Sequence, residues 1–295
     1  MTLGPRKRQP LGSVAGAEKT AAEPVRRLLC AALAAVTGLG FLFAASNGSA
    51  APVGFIPHRA YYGLTMHSVA PGSTITDIRG ALFVEWIEGC EGWSSSQRLK
   101  LRLFDTTRPM IEAETRFASW ESNDGLTYNF NLQNLRQGIV NKELGGRASL
   151  RGEGMPGTAE FVAPRGLRFE LPAGTIFPMV HLKELIEAGG AGEKVVSRII
   201  FDGTTEEGPF EINAVIGPRR PPETGAVSLP APARGPSWLM RLAFFRLETN
   251  EVLPFYEMSV QLLENGIGAG FFLDYGDSVI RAELQRIELL PRASC

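Results

Sequence analysis

Residues 171–204 read LPAGTIFPMVHLKELIEAGGAGEKVVSRIIFDGT, and this stretch decides the fold. Pro178 suits the first turn of a helix, where its missing N–H is not needed. Apolar residues then recur at helical spacing opposite a charged side: Met179, Leu182, Leu185 and Ile186 against Lys183, Glu184 and Glu187. Gly189 and Gly190 predict the end of the helix, because glycine tolerates left-handed backbone angles. A helix of about three turns cannot bury an apolar stripe alone, so we expect a surrounding sheet to wrap it.

The chain on both sides of this helix shows the two-residue period of β-strands. In the first such segment one face carries Ala60, Tyr62, Leu64 and Met66. About fourteen strand candidates occur in all, short and separated by Gly or Pro, as in an antiparallel meander. Asn123-Asp124-Gly125 is a strong hairpin signal between two of them. The sequence therefore predicts an all-β protein in which a large antiparallel sheet accompanies one α-helix.

A proline-rich segment, residues 217–236, interrupts the strand pattern with GPRRPPETGAVSLPAPARGP. Its prolines block regular strand pairing, so it is either a surface loop or a domain boundary. The loop is favoured, because strands of the same type resume afterwards. We therefore expect residues 51–295 to form a single domain.

The first 50 residues have the order of a secretory signal peptide. A long basic region, 1–27, precedes an apolar run, 28–45, and the small-residue stretch 46–51. Cleavage after Ala50 is predicted, and retention of the apolar run as a membrane anchor is the alternative. This segment contains six of the 30 basic residues and two of the 31 acidic residues of the chain. Without it, 24 basic and 29 acidic residues remain, a net charge near −5. A mildly acidic chain without a basic block argues against nucleic-acid binding.

Two cysteines, Cys90 and Cys295, remain after the predicted cleavage. Two cysteines in an exported chain usually pair, and this pair would tie an early strand to the last residue. Two free thiols are the alternative. A metal site is not expected, because no Cys-x-x-Cys occurs and His58, His67 and His181 lack ligand spacing.

Three groups of residues could carry chemistry, and each has a simpler structural interpretation. Acidic residues in 202–208 suggest a metal loop, but they lack calcium-loop spacing and a polar hairpin is favoured. Glu121 and Asp124 near Trp120 could frame a glycosidase site, yet a turn explains Asp124. His181 lies at the edge of the helical apolar stripe and is expected to be satisfied and partly buried, since no serine elbow or cysteine partner is evident. We predict no catalytic residue, no metal and no cofactor.

Two adjacent aromatic pairs, Phe244-Phe245 and Phe271-Phe272, put a ring on both faces of their strands. A sheet that is apolar on both faces must be covered twice. Burial by the protein itself is the default interpretation. A groove for a lipid or for a hydrophobic segment of a partner is the functional alternative.

Six segments occur in a specific order along the chain. They are His58-Arg59-Ala60-x-Tyr62, Gly89-Cys90-Glu91-Gly92-Trp93, Trp120-Glu121-Ser122-x-Asp124-Gly125, LPAGTIFPMVHLKELIEAG from Leu171, Phe201-Asp202-Gly203-Thr204 and the terminal Cys295. Together, over residues 57–295, they resemble the EipB family, periplasmic cell-envelope integrity proteins of Gram-negative bacteria once catalogued as a domain of unknown function. The order and spacing of the segments carry the resemblance, rather than any single motif.

The resemblance implies a monomeric, spiral-like antiparallel sheet of about fourteen strands that forms an open barrel around the helix. It also implies a Cys90–Cys295 disulfide and a role in envelope maintenance without an established enzymatic activity. The leading hypothesis is a noncatalytic periplasmic protein that supports envelope integrity by binding an envelope protein or a lipid-linked component. A lipid carrier is the alternative, and a hydrolase of envelope glycans or peptides is less favoured.

Overall fold

The computed structural model describes residues 54–222, 231–247 and 252–295. The predicted signal peptide and the middle of the proline-rich segment, residues 223–230, lie outside the described residues. Within the described ranges the chain forms fifteen strands and one α-helix, α1 (Pro178–Ala191), and a 3₁₀ turn covers Ala231–Arg234. The strands are β1 (His58–Val69), β2 (Ile75–Glu88), β3 (Gly92–Asp105), β4 (Ile111–Ser122), β5 (Thr127–Arg136), β6 (Ile139–Leu150), β7 (Gly157–Ala163), β8 (Arg168–Leu171), β9 (Thr175–Ile176), β10 (Val195–Ile200), β11 (Phe210–Ile216), β12 (Ser237–Arg246), β13 (Tyr256–Leu263), β14 (Gly268–Asp274) and β15 (Ser278–Leu289).

The fifteen strands belong to one sheet, ordered β8-β7-β6-β5-β4-β3-β2-β1-β15-β14-β13-β12-β11-β10-β9. β1 joins the two halves of the sheet, because His58 pairs with Trp86 of β2 on one side and with Leu289 of β15 on the other. The pairs are antiparallel, apart from short β9, which runs parallel to β10. The edge strands β8 and β9 follow one another in the chain and are separated by residues 172–174. The sheet therefore curls into a nearly closed barrel, which confirms the predicted fold class.

Aromatic packing connects the two ends of the sheet. Tyr128 and Phe130 of β5 are buried against Phe177, which precedes α1, and Phe201, which follows β10. The ring centroids of Tyr128 and Phe177 are 5.1 Å apart, and those of Phe130 and Phe201 are 5.6 Å apart. These pairs bring together side chains from both halves of the sheet. Apolar burial therefore stabilises the barrel where the edge strands β8 and β9 are not paired with each other.

The strands follow the predicted alternation. Ala60, Tyr62 and Leu64 of β1 are buried, whereas Tyr61 between them is 37% exposed. The inner face packs on the helix, where Leu185 belongs to the same apolar cluster as Trp238 of β12. The sheet thus buries the stripe that the helix could not bury by itself.

The helix begins at Pro178 as predicted, but its predicted end at Gly189 and Gly190 is wrong. It continues to Ala191, and Gly192 ends it with a φ of 80°. Gly189 stays helical and approaches the buried Trp238 so closely that a Cβ atom there would lie 2.9 Å from the indole ring. Packing against this ring accounts for the helical conformation of Gly189, and the left-handed turn falls on Gly192.

Candidate functional site

The amino end of the helix is held by a strand. Phe177 makes no side-chain cap, and the Glu121 carboxylate of β4 instead accepts hydrogen bonds from the N–H groups of Met179 at 2.7 Å and Val180 at 2.9 Å. These are N–H groups that a helix cannot satisfy internally. Glu121 is 3% exposed, and burial raises its pKa to about 7, against the two N–H donors and Lys183, which lower it. The side chain therefore positions the helix against the barrel wall.

A cavity of about 610 Å³ lies between the helix and the inner face of the sheet. Its floor is the helix face that carries Pro178, His181, Leu182 and Leu185. One wall is apolar and comes from β11–β14, with Phe210, Ile212, Leu242, Phe244, Met258, Val260, Phe271 and Leu273. This volume and lining are typical of sites for small apolar ligands, which span roughly 300–1,000 Å³.

The aromatic pairs singled out in the sequence divide between the two faces of the sheet. Phe244 lines the cavity and contacts Tyr256, with ring centroids 5.0 Å apart. Phe271 also lines the cavity, whereas Phe272 packs on His67 at 5.0 Å. Burial raises the pKa of Tyr256, so its hydroxyl remains neutral. Part of the predicted apolar surface is therefore covered by the protein, and part faces an internal space.

His181 is brought to the cavity floor by the helix. It is 6% exposed, and its Nε2 is buried without a hydrogen-bond partner in the part of the chain that the structure describes. Burial, helped by the nearby Arg198, lowers its pKa to about 4, so the ring is neutral at neutral pH. The histidine was predicted to be satisfied and partly buried, but its Nε2 has no hydrogen-bond partner among the described residues. The nitrogen remains able to form a hydrogen bond with a bound molecule.

The acidic residues considered for glycosidase chemistry are not assembled into a site. Glu121 is occupied by the helix N–H groups. Asp124 accepts hydrogen bonds from the Ser122 hydroxyl and from the Leu126 N–H at 3.0 Å, which closes the β4–β5 turn. Trp120 precedes Glu121 in the same strand and therefore points to the opposite face of the sheet.

The acidic segment 202–208 forms a loop between β10 and β11. The Asp202 carboxylate accepts hydrogen bonds from the Thr204 N–H at 2.9 Å and the Thr204 hydroxyl at 2.8 Å. This local turn explains the Asp-x-Thr spacing of Asp202 and Thr204. Among the described residues, no cluster of three or more His, Cys, Asp or Glu could hold a metal ion.

Cys90 and Cys295 form a disulfide, with their Cα atoms 5.7 Å apart. It ties the turn between β2 and β3 to the last residue of the chain. The Asn123 side chain of the next turn on the same end of the barrel donates to the Cys90 carbonyl oxygen at 2.9 Å. The disulfide thus closes the carboxyl end of the chain onto the barrel.

Sequence reasoning missed a set of uncharged polar residues that line the cavity. They lie on β3, β4 and β5 and comprise Ser95, Gln97, Thr115, Ser119 and Asn134. A signal was present, because on β3 the residues Ser95 and Gln97 occupy the same alternating positions as the inward Leu99. Polar residues at the inward positions of a strand indicate an interior that is not filled by apolar side chains alone.

The EipB-like family model matches residues 49–291. The chain belongs to the EipB-like family. It is 26% identical over 267 residues to the cell envelope integrity protein EipB of Brucella abortus (strain 2308), covering 89% of this chain and 94% of that protein. The crystal structure of a beta-barrel-like protein of domain of unknown function DUF1849 from Brucella abortus covers 80% of this chain and 99% of its own, with a TM-score of 0.75 and 24% identity. The resemblance noted from the sequence is confirmed, and this EipB-like chain shares the barrel fold of the solved structure.

No helix in residues 54–222, 231–247 and 252–295 is long and apolar enough to cross a membrane.

Proposed function

We propose that this EipB-like protein supports cell-envelope integrity by binding an envelope component with an apolar tail inside its barrel. The observation that carries the proposal is the cavity of about 610 Å³ between the helix and the apolar wall of β11–β14. Protein interiors are normally filled to crystal-like density. An apolar space of this size is costly unless an apolar molecule occupies it, and a lipid tail supplies the matching surface.

The proposed location is the periplasm, and the proposed role is noncatalytic. The Cys90–Cys295 disulfide favours an oxidising compartment, which agrees with the predicted signal peptide and with the name of the Brucella relative. Glu121 and Asp124 are both occupied by structural hydrogen bonds, which supports binding rather than hydrolysis. A monomer is expected, and gel filtration with light scattering would measure it.

The test combines lipid analysis with a matched pair of variants on β12. Protein recovered from the periplasm should carry a co-purifying lipid that extraction and mass spectrometry detect. Leu242 lines the cavity, and Leu239 of the same strand is 40% exposed. Leu242→Trp should fill the cavity, reduce the bound lipid and fail to restore detergent resistance in a strain that lacks the gene. Leu239→Trp should behave like the wild type.

Circular dichroism and formation of the disulfide would establish that both variants fold. Full restoration of detergent resistance by a folded Leu242→Trp protein without bound lipid would contradict the proposal. That outcome would instead favour the alternative in which an envelope protein binds the outer surface. Absence of lipid from wild-type protein, together with no binding of added lipid, would also contradict it.

A further inference from the structure

The cavity has two chemically different sides. β11–β14 contribute the apolar wall, whereas β3–β5 contribute five uncharged polar side chains: Ser95, Gln97, Thr115, Ser119 and Asn134. Strand register groups them, because Ser95 pairs with Ser119 and Thr115 pairs with Asn134. The five side chains therefore form a polar patch on one side of the cavity, interrupted by Phe117 of β4, which pairs with Gln97. This patch is called the polar wall below.

Some polar groups of the polar wall form hydrogen bonds with one another, and others form none. The hydroxyls of Ser95 and Ser119 are 3.2 Å apart, and the Thr115 hydroxyl donates to the Asn134 Oδ1 at 2.8 Å. These contacts leave the Asn134 Nδ2 and the whole Gln97 amide without a partner among the described residues. Both side chains are half-buried and line the cavity, so water or a bound ligand can form hydrogen bonds with these groups.

The cavity floor adds a third open group. The His181 Nε2 is buried and has no partner within the described part of the chain, although the side chain faces the cavity. An unpartnered buried nitrogen in a native protein points to a molecule that completes it. Polar groups on the wall and on the floor are thus available to one occupant.

Charge is scarce around this space. No Lys, Arg or Glu occurs among the described residues that line the cavity, and the Asp202 carboxylate there is held by Thr204. An anionic headgroup would lose its hydration without finding an opposite charge, which is strongly unfavourable in a low-dielectric interior. A cationic headgroup would find only Asp202, whose carboxylate already accepts two hydrogen bonds and whose pKa is raised by burial. An uncharged headgroup would exchange hydrogen bonds with water for hydrogen bonds with the polar wall.

We propose that the cavity selects an amphiphile whose headgroup is uncharged and rich in hydroxyl or amide groups. The tail packs on β11–β14, and the headgroup contacts Gln97 and Asn134 on the polar wall. This assignment rests on the proposed function, since it specifies which apolar-tailed component the barrel accepts. It excludes lipids with an anionic phosphate headgroup as the preferred occupant.

The experiment is isothermal titration of the disulfide-bonded protein, stripped of bound lipid, with three probes that share one saturated chain. Monolauroylglycerol is uncharged, lauryl phosphate is anionic and lauryltrimethylammonium is cationic. We expect the uncharged probe to bind at least about tenfold more tightly than either charged probe. Gln97→Leu should weaken its binding by about fivefold, because the proposed hydrogen bond between the Gln97 amide and the headgroup is lost.

Gln133 provides the matched control, because it lies on the outer face of β5 and donates to Glu143 at 3.1 Å. Gln133→Leu should leave all three affinities unchanged. Equal or tighter binding of a charged probe to the wild type would overturn the headgroup assignment while leaving the proposed function intact. No binding of any probe would overturn both. The wild-type comparison decides the matter even where the Gln97→Leu protein fails to fold.

Discussion

Replacing Glu121 with glutamine provides a direct test of how the helix is attached to the barrel. The carboxylate is buried and accepts two hydrogen bonds from the first turn of the helix, at 2.7 and 2.9 Å. Two effects oppose each other at this site. Burial favours the neutral acid, whereas the N–H donors and the helix dipole favour the ionised form. The pH dependence of stability shows which effect is larger.

The expected magnitude follows from the pKa of the group. Burial raises the pKa of Glu121 from 4.5 to about 7 in the folded protein. At about 1.4 kcal/mol for each pH unit, the cost of ionising it inside the fold is about 3 kcal/mol. Between these two values the folded protein holds a proton that the unfolded chain has released. Its stabilising contribution is therefore complete below pH 4.5 and is lost as the pH rises through about 7.

Glu121→Gln removes this ionisation, so the difference between the two proteins isolates one group from all other titrations. We expect the free energy of unfolding of the wild type to fall, relative to the variant, by about 2.5 kcal/mol between about pH 5 and about pH 8. Urea unfolding followed by circular dichroism, with the disulfide intact, measures this difference. A difference that is flat, or that grows in favour of the wild type, would refute the reasoning and make Glu121 an ordinary ionised cap.

Asp124→Asn is the matched control in the adjacent turn. Hydrogen bonds from the Ser122 hydroxyl and the Leu126 N–H lower the pKa of Asp124. It is therefore ionised in both the folded and the unfolded chain throughout this pH range. Its difference from the wild type should stay constant between about pH 5 and about pH 8.

Two further predictions concern packing and the disulfide. Gly190→Ala should stabilise the protein by about 0.5–1 kcal/mol, because alanine favours helix and no atom outside the local helix backbone lies within 4 Å of the new Cβ. Gly189→Ala should destabilise it by about 1–2 kcal/mol, since the new Cβ would lie 2.9 Å from the Trp238 ring. Urea unfolding measures the stability of both variants. An equal gain in stability for the two variants would contradict the packing of Gly189 on Trp238. Reducing the Cys90–Cys295 bond, which spans 205 residues, should cost about 2–5 kcal/mol because the unfolded chain gains freedom. Unfolding with and without reductant measures this cost, and unchanged midpoints would contradict it.

Local patterns predicted the elements of the fold but not all of their limits. Pro178 correctly marked the start of the helix, because its preference depends on its own backbone angle. Gly189 and Gly190 misled the prediction of its end, because the space beside Gly189 is taken by Trp238, distant in sequence. A glycine that permits a turn and a glycine that permits a close approach look the same in one sequence.

The cavity was predictable only in outline. The aromatic pairs of β12 and β14 suggested either burial by the protein itself or a groove. Because side chains alternate along a strand, the two rings of each pair were expected on opposite faces of the sheet. Gln97 could have been noticed as a polar residue in an inward position of β3. The unpartnered nitrogen of His181 could not, because the sequence does not show which groups come close enough to bond with it.

The sequence by itself determined that the protein is an antiparallel all-β fold with one helix, because strand alternation and helix periodicity are local properties of the chain. It also limited the intramolecular pairing of Cys90 and Cys295 to a single possibility within residues 51–295. The tertiary structure alone decided that Glu121 caps the helix and that the barrel encloses a space with a polar and an apolar side. Both features depend on the curvature of the whole sheet, which brings strands together across long stretches of sequence. An alternating pattern specifies which side chains face inward, but the closure of the barrel determines how much room remains between them.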